Sequence, residues 1–271
     1  MTPDRSAEPS RQVDSAHSTV TWSNGGSLVV KRYLAPDRFT IFDRSRLGYE
    51  ARVNRWLLRH PPPVRFPRLV GVDRAAGTLS FEAIDGDPVG LKFPTELDSA
   101  TLDKMINLAW AIPARVTGCR WLRRFSLGAR LRSAVAVGHL REGDAGAVLR
   151  AAPIGPPSLR FAHGDLTARN VLRSSMGELV VIDWEWAGLY PVGYEAAFLW
   201  LSVLDVPGAR ARVEASVPEG AAAWFWRSAL CVQLVHLALY APRPELAGLL
   251  ERHLATRDEL VERITSSPMA G

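Results

Sequence analysis

The stretch from His163 to Asp183 constrains this chain more than any other part of it. HGDLTARNVL is followed by a short polar turn and then by ELVVID. Val171, Leu172 and Arg173 read as a short strand, and Leu179, Val180, Val181 and Ile182 as a buried apolar one. Between them Ser174, Ser175, Met176 and Gly177 supply a turn, with the glycine free to take positive φ. A turn centred on Met176 and Gly177 sets Asn170 opposite Asp183, because each lies equally far from that centre. Opposed residues in such a ladder hold their Cβ atoms about 4.5–5.5 Å apart. An amide oxygen and a carboxylate then converge, and hard oxygen ligands suit a cation such as Mg²⁺. Asp165 precedes Asn170 by five residues on the leading loop, close enough to act as a base beside that ion.

A single aspartate at a strand end is commonly a cap or turn former. The joint pattern of D-x-x-x-x-N, hairpin spacing and a second strand-terminal Asp is that of the catalytic and metal loops of kinase-type phosphotransferases. HGDLTARN followed by VIDWEWAG resembles the motif pair of the aminoglycoside phosphotransferase and choline kinase family, and the resemblance runs from about Val20 to Leu204. It implies an α+β, two-lobed protein-kinase-like fold, with a small antiparallel-sheet lobe and a mainly helical lobe. The expected division is a disordered terminus over residues 1–11, a nucleotide-binding lobe over 12–90 and a catalytic, acceptor-binding lobe over 91–271. The resemblance further implies ATP and Mg²⁺, with Asn170 and Asp183 as metal ligands and Asp165 handling the proton of an acceptor hydroxyl.

Upstream, Ser18 to Trp22, then Asn24-Gly25-Gly26, then Leu28 to Tyr33 read as a β-hairpin with an Asn-Gly turn. Lys31 falls within the apolar second strand. Such a lysine is either an edge residue reaching for water or a buried phosphate ligand with a carboxylate partner. Glu50 is the candidate partner, on a helix near Arg44 to His60 where Leu47, Ala51, Leu57 and Leu58 mark a stripe. A phosphate-covering loop before Lys31 falls on Asp14 to Ser18, where Ser15 and Ser18 offer hydroxyl groups but no glycine-rich pattern. The alternative there is a polar terminus running into a strand. Leu79 to Ile84 form an apolar run ending at the turn signal Asp85-Gly86-Asp87-Pro88. By the resemblance, Glu82, Ala83 and Ile84 are the hinge that meets adenine.

After Asp183 the chain reads WEWAG and then PVGYEAAFLWLSVL, with little room for a peptide-docking platform before Glu195. Small acceptors are therefore favoured over proteins. Glu195 either braces the catalytic loop or begins a helix, where acids suit the positive dipole end. Glu185 and Trp186 are acceptor-binding candidates, and Trp184, Trp186 and Trp200 either pack the core or hold a cation by cation–π contact. His163 is expected to hold the loop rather than act as the base.

Composition bounds the rest. The chain has 271 residues and 47% hydrophobic content, enough for a substantial core. Residues 1–16 are polar, without the apolar core of a signal peptide. The apolar stretch Ala221 to Ala241 contains Arg227, Gln233 and His236, which argues for a buried helix rather than a membrane span. Two cysteines without CxxC spacing suit free thiols in a reducing compartment, and a cytoplasmic location is expected. The net charge of +5 is uneven: residues 185–271 carry 7 basic and 10 acidic groups, a balance that suits a cationic acceptor. A basic middle with Arg120, Arg123, Arg124, Arg130 and Arg132 reads as a solvated helix face, so neither nucleic acid nor membrane is an expected partner. The expected function is transfer of the ATP γ-phosphoryl group to a hydroxyl of a small molecule: an antibiotic, an amino alcohol or a sugar. A protein kinase and a nucleotide-binding scaffold without turnover are the alternatives, and the sequence leaves the oligomeric state open.

Overall fold

The computed structural model describes residues 12–14, 18–22, 27–33, 45–116, 118–155, 157–243 and 247–266. The chain forms two units, Met1–Val89 with Asn170–Trp186, and Gly90–Arg169 with Ala187–Gly271. It leaves the first unit at Val89 and returns to it for Asn170–Trp186, a return that a linear division of the sequence does not express.

In the first unit, β1 (Gln12–Asp14), β2 (Ser18–Trp22), β3 (Leu28–Tyr33), β4 (Leu69–Asp73) and β5 (Thr78–Glu82) form one antiparallel sheet in the order β1-β2-β3-β5-β4. β2 and β3 pair from Ser18↔Tyr33 to Trp22↔Val29, as the alternation of the sequence expects, with the Asn-Gly turn outside the described residues. The short strand β1 has no clear sequence signal. Helix α1 (Ser45–Leu57) sits on the sheet through Leu47 and Ala51, one turn apart, which pack with Leu79 and Phe81 of β5. Tyr33, Leu69 and Val72 close the edges of this small core. Burial of these side chains, at about 25 cal/mol per Å² of apolar surface, fixes α1 over β5.

Asp85-Gly86-Asp87-Pro88, expected as a turn, instead contains the strand β6 (Gly86–Pro88). β6 pairs with β8 (Val171–Ser174), which pairs with β9 (Leu179–Val181), in a second three-stranded sheet. Glycine is what permits the strand: a Cβ at position 86 would lie 2.4 Å from the Arg173 carbonyl oxygen. A turn signal describes local freedom, and here the ladder to β8 has captured it.

The second unit holds β7 (Leu159–Ala162) paired antiparallel with β10 (Gly188–Pro191), and seven helices among the described residues. These are α2 (Ser99–Ala111), α3 (Leu127–Ala136), α4 (Glu142–Arg150), α5 (Tyr194–Ser202), α6 (Ala209–Ala215), α7 (Ala222–Tyr240) and α8 (Ala247–Ser266). Asp98 caps α2 by accepting the Thr101 N–H at 2.8 Å, the usual role of an acid at a helix start. Every residue of α5 is buried, and α7 packs against α5, α3 and α8. The segment Glu219–Tyr240 is long and apolar enough to cross a membrane by composition, but Arg227, Gln233 and His236 are buried within this unit's packing. The arginines of the basic segment do not form one solvated helical face. Arg120, Arg123 and Arg124 precede α3, and Arg130 lies 5.2 Å from the Phe125 ring centre and 5.9 Å from that of Tyr194.

Candidate functional site

Lys31 stands at the centre of the first unit's polar interior. It points from β3 toward α1, and its side chain is only 8% exposed. Its Nζ donates to Glu50 Oε2 at 2.9 Å, to Asp183 Oδ1 at 2.6 Å and to Glu185 Oε2 at 3.0 Å. Of the two sequence readings of Lys31, the structure therefore selects the buried lysine with acidic partners. Burial alone would pull the ammonium down, but Asp183, Glu50 and Glu185 together hold it well above its usual value. Burial pushes Glu50 up to about 8, against the pull of Lys31 and with the push of Asp183 and Glu185. One ammonium among three carboxylates leaves an excess of negative charge, a condition that a further cation relieves.

The hairpin that delivers Asp183 differs from the sequence reading by one residue. The register is Val171↔Val181, and Ile182 donates its N–H to the Asn170 carbonyl at 2.9 Å, so Asn170 faces Ile182 rather than Asp183. The cause lies in the turn. Ser174 N–H bonds Glu178 O at 2.9 Å and Gly177 N–H bonds Ser174 O at 2.8 Å, which centres the hairpin on Met176. Gly177 takes φ of 81° to close it. Asp183 is the next residue after the pairing ends, and its φ of 65° makes it the one non-glycine in the left-handed region among the described residues. Such a conformation is uncommon outside glycine, although Asp tolerates it better than most, and it belongs with functional positions more often than with ordinary turns. Asn170 is buried at the end of a single helical turn, Ala168–Asn170.

Asp183 is followed by a second tight turn, Trp184–Trp186, whose indoles anchor it. Trp184 Nε1 donates to Val181 O at 3.0 Å, and its ring meets Phe66 edge-on. Trp186 lies 5.2 Å from the Arg46 guanidinium. This turn brings Glu185 onto Lys31. Glu185 and Trp186, expected as acceptor contacts, are thus placed on Lys31 and on Arg46 of α1. The structure offers no aromatic cage in this segment, because both indoles pack against their own unit. The carboxylate oxygens of Glu50, Asp183 and Glu185 lie within 4.8 Å of one another, gathered around the Lys31 ammonium. Asp183, at 33% the most exposed of the three, is a hard oxygen donor of the kind Mg²⁺ takes.

The remaining nucleotide-side expectations fall less cleanly. Ser15 lies outside the described residues, and Ser18 is placed only as the first residue of β2. In the hinge, Glu82 N–H bonds Arg68 O at 2.9 Å and Ala83 N–H bonds Ser27 O at 3.1 Å. The Glu82 carboxylate pairs with Arg68 at 3.1 Å and Arg65 at 3.5 Å. Those two amides serve the protein's own strands and are not open for recognition.

In the second unit, β7 leads into His163, Gly164 and Asp165. Gly164 adopts φ of 86°, and its N–H donates to Glu195 Oε1 at 2.7 Å. Glu195 is fully buried in the first turn of α5. Burial pushes its carboxyl up to about 7, the loop amides of Gly164, His163 and Leu166 pull it down, and the Asp165 charge pushes it up. Of the two roles open to Glu195 in the sequence, it performs both, because the first turn of α5 is where it meets the loop. His163, also buried, accepts the Asp165 N–H at Nδ1 over 3.2 Å, which puts its ring proton on Nε2. Thr167 N–H closes the turn on the Asp165 carbonyl at 2.9 Å. The Asp165 carboxylate is 18% exposed, and Lys92 Nζ lies 4.0 Å from its Oδ1. Lys92 carries no sequence signal: it is a lone lysine in a loop, and only folding brings it to the HGD turn.

Comparison with known proteins agrees with the fold just described. The model of the phosphotransferase enzyme family matches residues 9–230. Among solved structures, a choline/ethanolamine kinase family protein from Mesorhizobium loti superposes with a TM-score of 0.68 at 14% identity, covering 96% of this chain and 89% of that one. Choline kinase LicA from Streptococcus pneumoniae gives 0.65 at 14% identity, covering 94% of both chains. An ADP-bound aminoglycoside phosphotransferase of the (2″)-Ib type gives 0.64 at 13% identity, covering 96% of this chain and 95% of that one. No curated protein sequence matches significantly. At these identities the structural likeness establishes a kinase-like α+β fold, and the family match adds the chemistry. With its HGD turn, its lysine–glutamate pair and its hairpin-borne aspartate, the chain belongs to the phosphotransferase enzyme family.

Proposed function

We propose that the protein transfers the γ-phosphoryl group of ATP to a hydroxyl of a small molecule. The observation that carries this reading is the Lys31 cluster. Residues far apart in sequence, Lys31, Glu50 and Asp183, meet in one buried charge cluster that costs stability unless it has work to do. Lys31 is a phosphate ligand, held in place by Glu50 at 2.9 Å. The ADP-bound aminoglycoside phosphotransferase of the same fold supports the choice of an adenine nucleotide. Within the hinge the Ile84 backbone is the proposed recognition point for adenine, and the segment before Ser18 is proposed to cover the phosphates. Mg²⁺, for which Asn170 and Asp183 are the proposed ligands, supplies charge neutralisation on the phosphates when bound.

The loop residues divide the remaining work. Asp165 accepts the proton of the acceptor hydroxyl. Its backbone is fixed on both sides, by His163 Nδ1 and by the Thr167 amide, so that the carboxylate is held rather than searching. Glu195 anchors the same turn through Gly164. His163 acts as a positioning residue, because the nitrogen that would serve as a base already accepts the Asp165 amide. Catalysis in this reading rests on positioning and charge neutralisation more than on covalent chemistry. A cytoplasmic location belongs to the same reading, since the thiols of Cys119 and Cys231 are free and suit a reducing compartment.

The test is an ADP-release assay across hydroxylated metabolites, amino alcohols, sugars and antibiotics. Acceptor-dependent ADP formation, lost in Asp183→Asn, is expected. Phosphorylation of added proteins with no small acceptor used would replace the reading by a protein kinase, and ATP binding without any turnover would replace it by a scaffold.

A further inference from the structure

The charge that faces Asp165 in its own unit is positive. Lys92 Nζ lies 4.0 Å from Asp165 Oδ1, with the two side chains 30% and 18% exposed. That distance is an ion pair but not a hydrogen bond, so the ammonium's donors are not consumed by Asp165. Aromatic side chains line the surroundings, with Arg243 acting on Tyr240 and Arg252 and Asp205 acting on His253. Lys92 Nζ sits 5.9 Å from the Phe93 ring centre. Phe93 meets His236 and Tyr240 edge-on, at 5.3 and 5.9 Å between ring centres. His236 is buried with both ring nitrogens lacking a hydrogen-bond partner among the described residues, and burial, Lys92 and His253 keep it neutral. Burial pushes the Tyr240 hydroxyl up, and the nearby Asp165 charge adds to this, which places Tyr240 in the same neighbourhood.

Two further carboxylates of this unit are turned to the protein's own groups. Glu195 lies beneath the loop with the Gly164 amide, and Asp205 pairs with Arg252 at 3.4 Å. The net acidity of residues 185–271 therefore does not describe the acceptor side of Asp165: several of those acids lie in surface pairs such as Glu259 with Arg210.

We propose that Lys92 selects the acceptor, and that the preferred substrate is an alcohol bearing an anionic group, a carboxylate or a phosphate, seated on the Lys92 ammonium beside the Phe93, His236 and Tyr240 wall. This rests on the phosphotransfer reading above and names its substrate class. A cationic alcohol aligned with Asp165 brings its ammonium against Lys92, and like charges placed side by side are unfavourable. An anionic one replaces solvent at the ammonium with a charge-assisted hydrogen bond. In the transfer itself, the acceptor oxygen bonds the γ phosphorus, and the bond from that phosphorus to the bridging oxygen breaks. Its electron pair leaves with ADP, and the hydroxyl proton goes to Asp165.

The test measures ADP release from the full chain with ATP and Mg²⁺, using matched alcohols of opposite charge: glycerate against serinol, and gluconate against glucosamine. The anionic member of each pair is expected to show the higher kcat/KM, by about tenfold or more. Lys92→Met should erase that preference through a higher KM for the hydroxy acid, with kcat changed less, and Lys92→Arg should retain it. A merely structural Lys92 would alter all four acceptors alike. Preference for the amines, or an anionic preference that survives Lys92→Met, overturns the proposal while leaving phosphotransfer intact. No ADP from any acceptor overturns the phosphotransfer reading and this one with it.

Discussion

The Gly164 amide donates to Glu195 Oε1 at 2.7 Å, tying the turn that carries Asp165 to the first turn of a fully buried helix. A hydrogen bond of this length fixes the backbone on which Asp165 rides. Glu195→Ala is expected to lower kcat by about ten- to a hundredfold, with KM for ATP little changed, as a lost positioning contact should. Glu195→Gln, which retains an acceptor oxygen, should recover much of the loss. The same residue predicts a pH effect. Its carboxyl is pushed up to about 7 from an ordinary 4.5, so the folded state holds more protons than the unfolded one between those values. Glu195's contribution to stability is therefore full below about 4.5 and is lost as the pH rises to 7. Melting curves of wild type minus Glu195→Gln should slope downward across that window, and an upward slope would contradict the burial account.

Removing Lys31 leaves Glu50, Asp183 and Glu185 without their shared counter-charge. Lys31→Met should destabilise the protein by about 3–5 kcal/mol, the cost of breaking a buried ion pair from one side. Adding Glu50→Leu should return part of that loss, since it removes a carboxylate that burial already disfavours. Urea denaturation of the two variants measures both effects, and simple additivity of the substitutions would argue against coupling.

Asp165→Asn keeps the shape of the loop and removes its base. A fall in kcat of about 10²–10⁴-fold is expected, with nucleotide affinity retained. His163→Asn should instead cost stability and a smaller part of kcat, because Nδ1 holds the Asp165 amide. A pH–rate profile whose acidic limb disappears only in the histidine variant would transfer the base to His163.

Gly86→Ala tests the strand that the sequence presented as a turn. The added methyl would meet the Arg173 carbonyl at 2.4 Å, backbone against backbone, so β6 and β8 must part. A loss of about 1–3 kcal/mol is expected, with weaker ATP binding because β8 begins directly after Asn170. Asp87→Ala on the same strand is exposed and should be close to neutral.

Local sequence determined much of this protein. The alternation around Lys31, the stripe through Leu47 and Ala51, and the strand–turn–strand around Met176 are short-range patterns, and each specifies its element through burial of one face. The HGD turn, Asn170 and Asp183 were legible because they lie close together in the chain, where chemistry and spacing can be read at once. What the tertiary structure decided are the pairings across long gaps and the single backbone angles. The hairpin register moved by one residue because the Ser174–Glu178 bond, not composition, centres the turn. Glu185 reached Lys31 because Asp183 adopts φ of 65°, an angle that no propensity assigns to a particular aspartate. Lys92 came to Asp165, and Asp85–Pro88 became a strand edge, through packing partners far away in sequence. Periodicity encodes which face of an element is buried; the partner that covers it depends on how the elements assemble, and the neighbours of Asp165 were settled there.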